Sequence, residues 1–337
     1  MTALPDDSGI PPRHTLAGVA LAALSGLALA AQAKVNGRFA DALRAVDPKG
    51  GALAGILAAV ISTAVGLALL ALVVPLLPAG RRGPRRLRHA LRGGGLRWWE
   101  CLGGACGAVL VSTQGLVASA LGVAVFTVAL VAGQVLASLA VDRAGLGPAG
   151  RRPLTVRRTV GALFAVPAVA VAVADQFGHQ TVLLLAALPL IAGAGLAWQQ
   201  AMNGRVTVAA GDGLVGSLVN FTVAEVVLLV GASVPVALLG VPARLPGPWF
   251  LYLGGPLGVV LIATAIAAVR LVGVLVLGLS SVAGQLVGAL LLETLLPGGP
   301  GGSVLYSAVG TVLALVAVAV AGLPGRTGSA KMAAGDR

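Results

Sequence analysis

Long apolar runs follow one another along most of the chain, separated by short polar or glycine-rich connections. The apolar residues within each run are continuous and do not alternate with polar ones, which favours helices over the strands of a membrane barrel. A helix needs about 20 apolar residues to cross a bilayer. Ten runs approach that length: about 15–35, 52–77, 99–118, 121–140, 158–175, 181–202, 213–240, 250–269, 271–292 and 303–322. The pattern therefore predicts an all-α membrane protein with ten transmembrane helices.

The same landmarks occur twice along the chain. The segment QAKVNGR at 32–38 returns as QQAMNGR at 199–205, which is 167 residues later. Four further pairs of landmarks lie 151 residues apart. They are Trp98 with Trp249, Gly103-x-x-x-Gly107 with Gly254-x-x-x-Gly258, Gly133-Gln134 with Gly284-Gln285, and Asp142 with Glu293. Independent landmarks in one register indicate an internal duplication.

Each predicted repeat contains five spans, and this odd number makes the second repeat enter the membrane in the opposite orientation. Inverted repeats are a recurrent transporter architecture, with the substrate path near the repeat interface. We predict an N-terminal segment at 1–14, a first repeat at 15–176, a second repeat at 177–324 and a tail at 325–337.

Basic residues in the short connections predict the orientation. If the N-terminus is cytoplasmic, 18 of the 23 Lys and Arg residues fall on the cytoplasmic side. Most of these 18 lie in two basic loops, at 81–97 and 143–158. We therefore predict a multi-pass protein of the plasma (inner) membrane with both termini in the cytoplasm.

Composition excludes several other classes of protein. The chain is 58% apolar and 10% charged, far from the composition of soluble globular domains. The net charge of +12 is confined to the connections, so it does not indicate nucleic-acid binding. The two cysteines and three histidines have no metal-ligand spacing, and no nucleophile and base are recognisable. We expect no enzymatic activity, no cofactor and no metal.

Glu225 lies near the middle of the seventh predicted span. An acid at the bilayer centre costs about 2.5–3.5 kcal/mol on insertion scales, and such residues usually face the bundle or a water-filled cavity. Glu225 is therefore a candidate proton carrier or cation site; the alternative is a protonated packing group. Asn220 and Thr222 precede it, and Thr222 is the nearer candidate partner. Alignment of the repeats places Gly66 at the equivalent position.

Gln134 and Gln285 occupy equivalent depths in the fourth and ninth spans. A buried primary amide carries two donors and an acceptor that need partners. The two side chains either bond across a helix interface as structural contacts or line the path and meet substrate. Arg270 lies at a seam almost without a loop, where it either reaches the cytoplasmic surface or pairs with an acid or anionic substrate.

The repeated polar segments provide a second group of candidates: Gln32, Asn36, Gly37, Arg38, Gln199, Asn203, Gly204 and Arg205. Asn-Gly is a good turn former and Arg reaches headgroups, so helix termination is one reading of these segments. In the other reading, Gln32 and Gln199 form part of a gate on each side. Trp198 either stacks on a flat or cationic substrate or anchors the helix at the interface.

Taken in order, these motifs resemble the YdcZ-type branch of the drug/metabolite transporter (DMT) superfamily, in a fused, EamA-like form of ten helices. The resemblance rests on Asn36-Gly37-Arg38, RLVG at 270–273, AGQL at 283–286, DRAGLG at 142–147 and RTVG at 158–161. It covers about residues 15–322 and implies a ten-helix exporter of small molecules across the inner membrane. The two copies differ in places, since Ser119 stands where the second copy has Arg270.

Our sequence-based hypothesis is a secondary transporter that exports small metabolites or drugs by alternating access. Coupling to protons or another cation through Glu225 is part of this hypothesis, with Gln134, Gln285 and Trp198 near the path. Expected partners are the substrate, protons and membrane lipids, and a homodimer stays open. Two alternatives remain: a membrane structural or assembly protein without transport, and a lipid flippase or scramblase.

Overall fold

The computed structural model describes residues 12–46, 51–148, 150–151, 156–172, 174, 180–242, 244–296 and 304–322. The predicted segment 1–14 and the tail at 325–337 therefore fall almost wholly outside the described residues. The described part is helical and contains no strand. Its helices are α1 (Pro12–Val46), α2 (Gly51–Val73), α3 (Pro78–Arg92), α4 (Gly103–Leu121), α5 (Val123–Ala144), α6 (Val156–Ala172), α7 (Gln180–Ala210), α8 (Gly213–Leu239), α9 (Gly254–Leu295) and α10 (Val304–Gly322). The all-α prediction is confirmed.

Eight stretches of these helices are long and apolar enough to cross a membrane. Two shorter apolar helical stretches, Thr159–Ala172 and Val304–Val320, lie in α6 and α10. In the described residues, all ten predicted apolar runs therefore coincide largely with helix. The protein is a multi-span helical membrane protein, and the number of ten crossings stays a prediction.

α9 is helical throughout its 42 residues, yet its two halves pack on the same short part of α1. A Cβ on Gly258 would lie 2.9 Å from Gln32 Nε2, and one on Gly288 would lie 2.6 Å from Leu27 Cδ1. A straight helix would separate these glycines by about 45 Å, whereas Gln32 and Leu27 are about 7.5 Å apart along α1. The chain therefore turns back on itself between these two glycines, and the contact of Leu271 and Val272 with Gly18, far from Gln32 and Leu27 on α1, places the reversal near 271–272. We call residues 254–268 α9a and residues 276–295 α9b.

α5 lies at the centre of the main hydrophobic core. Every residue from Val123 to Gly133 is buried, so this half of the helix is enclosed on all sides. Phe126 and Leu130 pack there with Leu121 of α4 and Leu286 of α9b. The enclosed helix fixes the positions of the polar side chains on the helices that surround it.

The structure contradicts the reading in which the Asn-Gly-Arg segments end the first and sixth spans in turns. α1 continues to Val46 and α7 continues to Ala210, so both Asn-Gly-Arg segments lie inside helices. Asn36 is fully buried, and a Cβ on Gly37 would lie 3.1 Å from the backbone nitrogen of Ser119. Close packing against α4 overrides the local preference of Asn-Gly for a turn.

The basic loop predicted at 81–97 contains a helix, α3. Pro78 occupies its first turn, where a missing N–H costs nothing. Gly80, Gly83, Leu87 and Ala90 share one face, and both glycines are buried. The sequence of α3 is thus amphipathic, but its many arginines make this pattern hard to recognise.

Candidate functional site

The first group of buried polar side chains lies where α1 crosses the start of α9a, and we call it the first amide crossing (Gln32, Asn36, Gly254 and Gly258). Gln32 Nε2 donates to the carbonyl of Gly254 at 3.0 Å. A Cβ on Gly254 would overlap Asn36 Oδ1, and one on Gly258 would lie 2.9 Å from Gln32 Nε2. A larger residue at either position would displace an amide side chain of α1, because these amides fill the space beside the glycines.

The second amide crossing (Gln199, Asn203, Gly103 and Gly107) lies where α7 crosses the start of α4. A Cβ on Gly103 would lie 2.7 Å from Asn203 Oδ1, and one on Gly107 would lie 3.0 Å from Gln199 Nε2. The repeated Gly-x-x-x-Gly faces thus allow the close helix approach expected of them. In each crossing, the glycines come from one half of the chain and the amides from the other.

The two crossings contact different parts of α4. Gly103 and Gly107 of α4 meet the amides of the second crossing, whereas Gln114 accepts the hydrogen bond from Asn36 of the first. The seven residues from Gly107 to Gln114 correspond to about 10 Å of helix. The repeated amides therefore occupy two separated positions in the bundle and do not form one cluster.

Gln134 and Gln285 lie at two further related helix contacts, between α5 and α7 and between α9b and α1. A Cβ on Gly193 would lie 2.9 Å from the backbone nitrogen of Gln134, and one on Gly26 would lie 2.5 Å from that of Gln285. Gln134 Nε2 donates to Gln200 Oε1 at 3.2 Å, a bond between α5 and α7. Its own Oε1 is buried without a hydrogen-bond partner. Gln285 is buried on α9b.

Arg38 and Arg205 both reach carbonyls at the end of a helix of the other half. An Arg38 guanidinium nitrogen lies 3.4 Å from the Leu296 carbonyl that follows α9b, and one of Arg205 lies 3.5 Å from the Gly145 carbonyl that follows α5. Unsatisfied carbonyls and the helix dipole favour a cation at these positions. The two Asn-Gly-Arg arginines thus have a specific acceptor in the bundle.

Glu100 is a functional candidate that the sequence analysis missed. Its side chain is 2% exposed and forms an ion pair with Arg205. It also accepts a hydrogen bond from the backbone nitrogen of Arg97 at 2.7 Å, which closes a capping box at the start of the span. The sequence carried a signal for this capping box, because Glu100 follows Arg97 by three residues at the beginning of an apolar run.

Gln114 is a second missed residue. Asn36 Nδ2 donates to Gln114 Oε1 at 2.7 Å, and both side chains are fully buried. Asn36 Oδ1, Gln114 Nε2 and Ser62 Oγ are buried without hydrogen-bond partners. The first amide crossing therefore keeps donor and acceptor capacity that the protein itself does not use.

Glu225 lies on the buried face of α8 with Asn220 and Phe221. The residue is 8% exposed, and its Oε2 is buried without a hydrogen-bond partner. Asn220 Oδ1 accepts from Gln199 Nε2 at 3.1 Å, which joins α8 to the second amide crossing. Thr222 is not the supporting partner, because it is exposed and donates to the carbonyl of Leu218 in its own helix.

The contacts also correct the alignment of Glu225 with Gly66. Gly104 faces the backbone of Asn220 and Ala224, whereas its counterpart Gly255 faces Ser62 and Gly66. Gly66 therefore corresponds to Ala224, and Leu67 corresponds to Glu225. The acid has an apolar counterpart, so it is a property of the second half alone.

A small surface depression lies beside the first amide crossing and is lined by Lys34, Arg38, Ala118, Ser119, Gly122, Val123 and Glu293. Glu293 at the end of α9b is not simply solvated. Its Oε2 accepts from the backbone nitrogen of Val123 at 2.8 Å and caps α5, while Lys34 Nζ lies 4.0 Å away. A carboxylate at a helix N-terminus is stabilised by the dipole and by unpaired N–H groups.

The remaining candidate residues are Trp198 and Arg270, together with any site for a metal. Trp198 is half-buried on α7 beside the second amide crossing. The side chain of Arg270 lies outside the described part of the structure. Among the described residues, no group of three or more His, Cys, Asp or Glu could hold a metal ion.

Comparison with known proteins bears on the whole chain. The family model described as "Putative inner membrane exporter, YdcZ" matches residues 17–171 and 184–322. No curated protein matches the chain. The two matched segments together cover most of the sequence and include both amide crossings, Glu225 and the Lys34–Glu293 pair. The chain therefore belongs to the YdcZ family of the DMT superfamily, a family described as exporters of the inner membrane.

Proposed function

We propose that the protein is a secondary transporter that exports small molecules across the inner membrane by alternating access of two inverted five-helix repeats. The observation that carries this proposal is the exchange of partners at the two amide crossings. Gln32 and Asn36 of one half pack on glycines of the other, and Gln199 and Asn203 do the same in return. Two related interfaces at separate positions along α4 are what opposing gates require.

In this mechanism the path lies between the two crossings. A rocking motion of one repeat against the other separates the helices at one crossing while the other stays closed. Gln134, Gln285 and Trp198 lie on the helices that would move. With the N-terminus in the cytoplasm, the second amide crossing faces the cytoplasm and the first faces the opposite side.

Glu225 is the proposed coupling residue. Its Oε2 has no hydrogen-bond partner, and a buried ionised carboxylate without a partner is strongly disfavoured. The side chain is therefore protonated in this packed state and loses its proton, or meets a cation, when the bundle opens to water. This cycle converts a proton gradient into directed movement of substrate.

The test compares efflux in a strain of the source organism that lacks the gene and carries wild type, Glu225→Gln or an empty vector. We expect one or more metabolites to accumulate inside the empty-vector cells and to leave cells with wild type. Efflux by wild type should vary with external pH, whereas Glu225→Gln should be slow and insensitive to pH. Equal efflux by both proteins, with equal pH dependence, would exclude the coupling role of Glu225.

A further inference from the structure

α3 separates its residues into two faces. Six arginines lie on α3, and all six are exposed: Arg81, Arg82, Arg85, Arg86, Arg88 and Arg92. At 3.6 residues per turn they cover roughly 160° of the helix surface. The opposite face carries Gly80 and Gly83, which are buried against Val74 and Val215.

No ion pair among the described residues joins the arginine face to an acid. No acidic residue occurs between Asp47 and Glu100. Arginines spaced by three and four positions repel one another and destabilise an isolated helix. External anions would remove this repulsion and stabilise α3.

The position of α3 identifies which anions can reach it. The helix begins two residues after the candidate span that ends at Leu76, and the next candidate span starts at Trp98. A segment this short between two membrane spans has to lie at the membrane surface. Trp98 is also highly exposed, as expected for a side chain at the interface. The nearest concentrated source of anions is therefore the phospholipid headgroups of the same leaflet.

We propose that the arginine face of α3 is a binding surface for anionic phospholipid headgroups. Bound lipid stabilises α3 against the junction of α7 and α8, where Gly83 contacts Val215 and Arg86 lies beside Gly211. The surface therefore lies beside the start of α8, the helix that carries the proposed coupling residue Glu225. The proposal itself does not depend on transport.

The test uses the purified full-length protein in a neutral detergent, with phosphatidylglycerol or phosphatidylcholine added. Lipid retention is counted by native mass spectrometry, and affinity is measured from the lipid-dependent rise in melting temperature. The variant is Arg85→Gln/Arg88→Gln/Arg92→Gln, which leaves Arg81, a donor to the Pro75 carbonyl, in place. The control, Arg326→Gln/Lys331→Gln/Arg337→Gln, removes the same charge from the tail.

We expect wild type and the tail control to bind phosphatidylglycerol alike, and the α3 variant to bind it at least about tenfold more weakly. Glycerol phosphate at the same concentration should not replace the lipid. Equal losses in both variants would show an effect of net charge and overturn the proposal, as would equal binding of phosphatidylcholine by wild type. If the α3 variant does not fold, raising salt from about 50 to about 500 mM should weaken phosphatidylglycerol binding to wild type steeply, and binding unaffected by salt would contradict the proposal.

Discussion

At one end of the bundle Arg38 reaches the carbonyl after α9b, and at the other Arg205 reaches the carbonyl after α5. The two arginines are related by the duplication, but their surroundings differ. Arg205 forms an ion pair with the buried acid Glu100, whereas Arg38 has no such pair in the described structure, and the nearby pair of Lys34 and Glu293 is longer. A duplicated framework thus carries different ion pairs at its two ends, so the two ends should open with different ease.

The largest effect should come from Arg205→Met. It leaves Glu100, which is 2% exposed, as a buried charge without its cation. We expect a loss of about 3 kcal/mol in the free energy of unfolding, at the low end for a broken buried pair because Arg205 is partly exposed. Thermal melting of the purified protein measures it. The matched control is Arg38→Met, which loses only an exposed hydrogen bond and should cost less than about 1 kcal/mol. Equal effects would contradict the difference between the ends.

Substitution of the crossing glycines should come next in size. A Cβ at Gly254 overlaps Asn36 Oδ1, whereas one at Gly103 would lie 2.7 Å from Asn203 Oδ1. Overpacking costs about 1–3 kcal/mol, so Gly254→Ala should destabilise more than Gly103→Ala. Gly231→Ala in α8 is the control, since a Cβ there meets nothing within 4 Å. If melting temperatures fall equally for all three variants, the crossings are not tightly packed.

A smaller effect is expected at the longer ion pair. Lys34→Met removes a cation 4.0 Å from Glu293, which keeps its hydrogen bond to the Val123 nitrogen. We expect a loss of about 1 kcal/mol or less in the same melting assay, because methionine also removes the desolvation cost of the buried ammonium. Glu293→Ala should cost more, because it also removes the cap of α5. The reverse order of the two variants would contradict the capping role of Glu293.

The smallest effect concerns the bond between Gln199 and Asn220. Interhelical hydrogen bonds in membranes average about 0.6 kcal/mol, and this is the coupling expected from a double-mutant cycle of Gln199→Ala and Asn220→Ala. Stability in a defined detergent is again measured. A coupling near zero would mean that the two amides bond to other groups in solution.

Much of the fold could be predicted because spanning length, apolar composition and internal repeats are local features of the sequence. Helices occur at the apolar runs, and α9 joins the eighth run to the ninth without a loop. Close helix contacts occur at Gly103 and Gly254, as the Gly-x-x-x-Gly pattern indicates. α3 was missed because its arginines had been interpreted only as an orientation signal.

The candidate site could be predicted only in part. Gln32, Gln199 and Glu225 were recognised from the repeats and from the cost of polar groups in lipid. The partners Gln114 and Glu100 were not, because contacts such as Asn36 to Gln114 join residues far apart in the chain. The reading of the Asn-Gly segments as turns is contradicted for the same reason, since long-range packing decides whether a helix continues through them.

The most direct test of alternating access is the labelling of single cysteines at the two ends. In a Cys101→Ala/Cys106→Ala background, Ser119→Cys reports on the end beside the first crossing, and Leu146→Cys reports on the end beside the second. Each is labelled with a maleimide in membranes, with and without Arg205→Met. Alternating access predicts that Arg205→Met raises labelling at 146 and lowers it at 119. A rise at 146 with no change at 119 would contradict coupled gates.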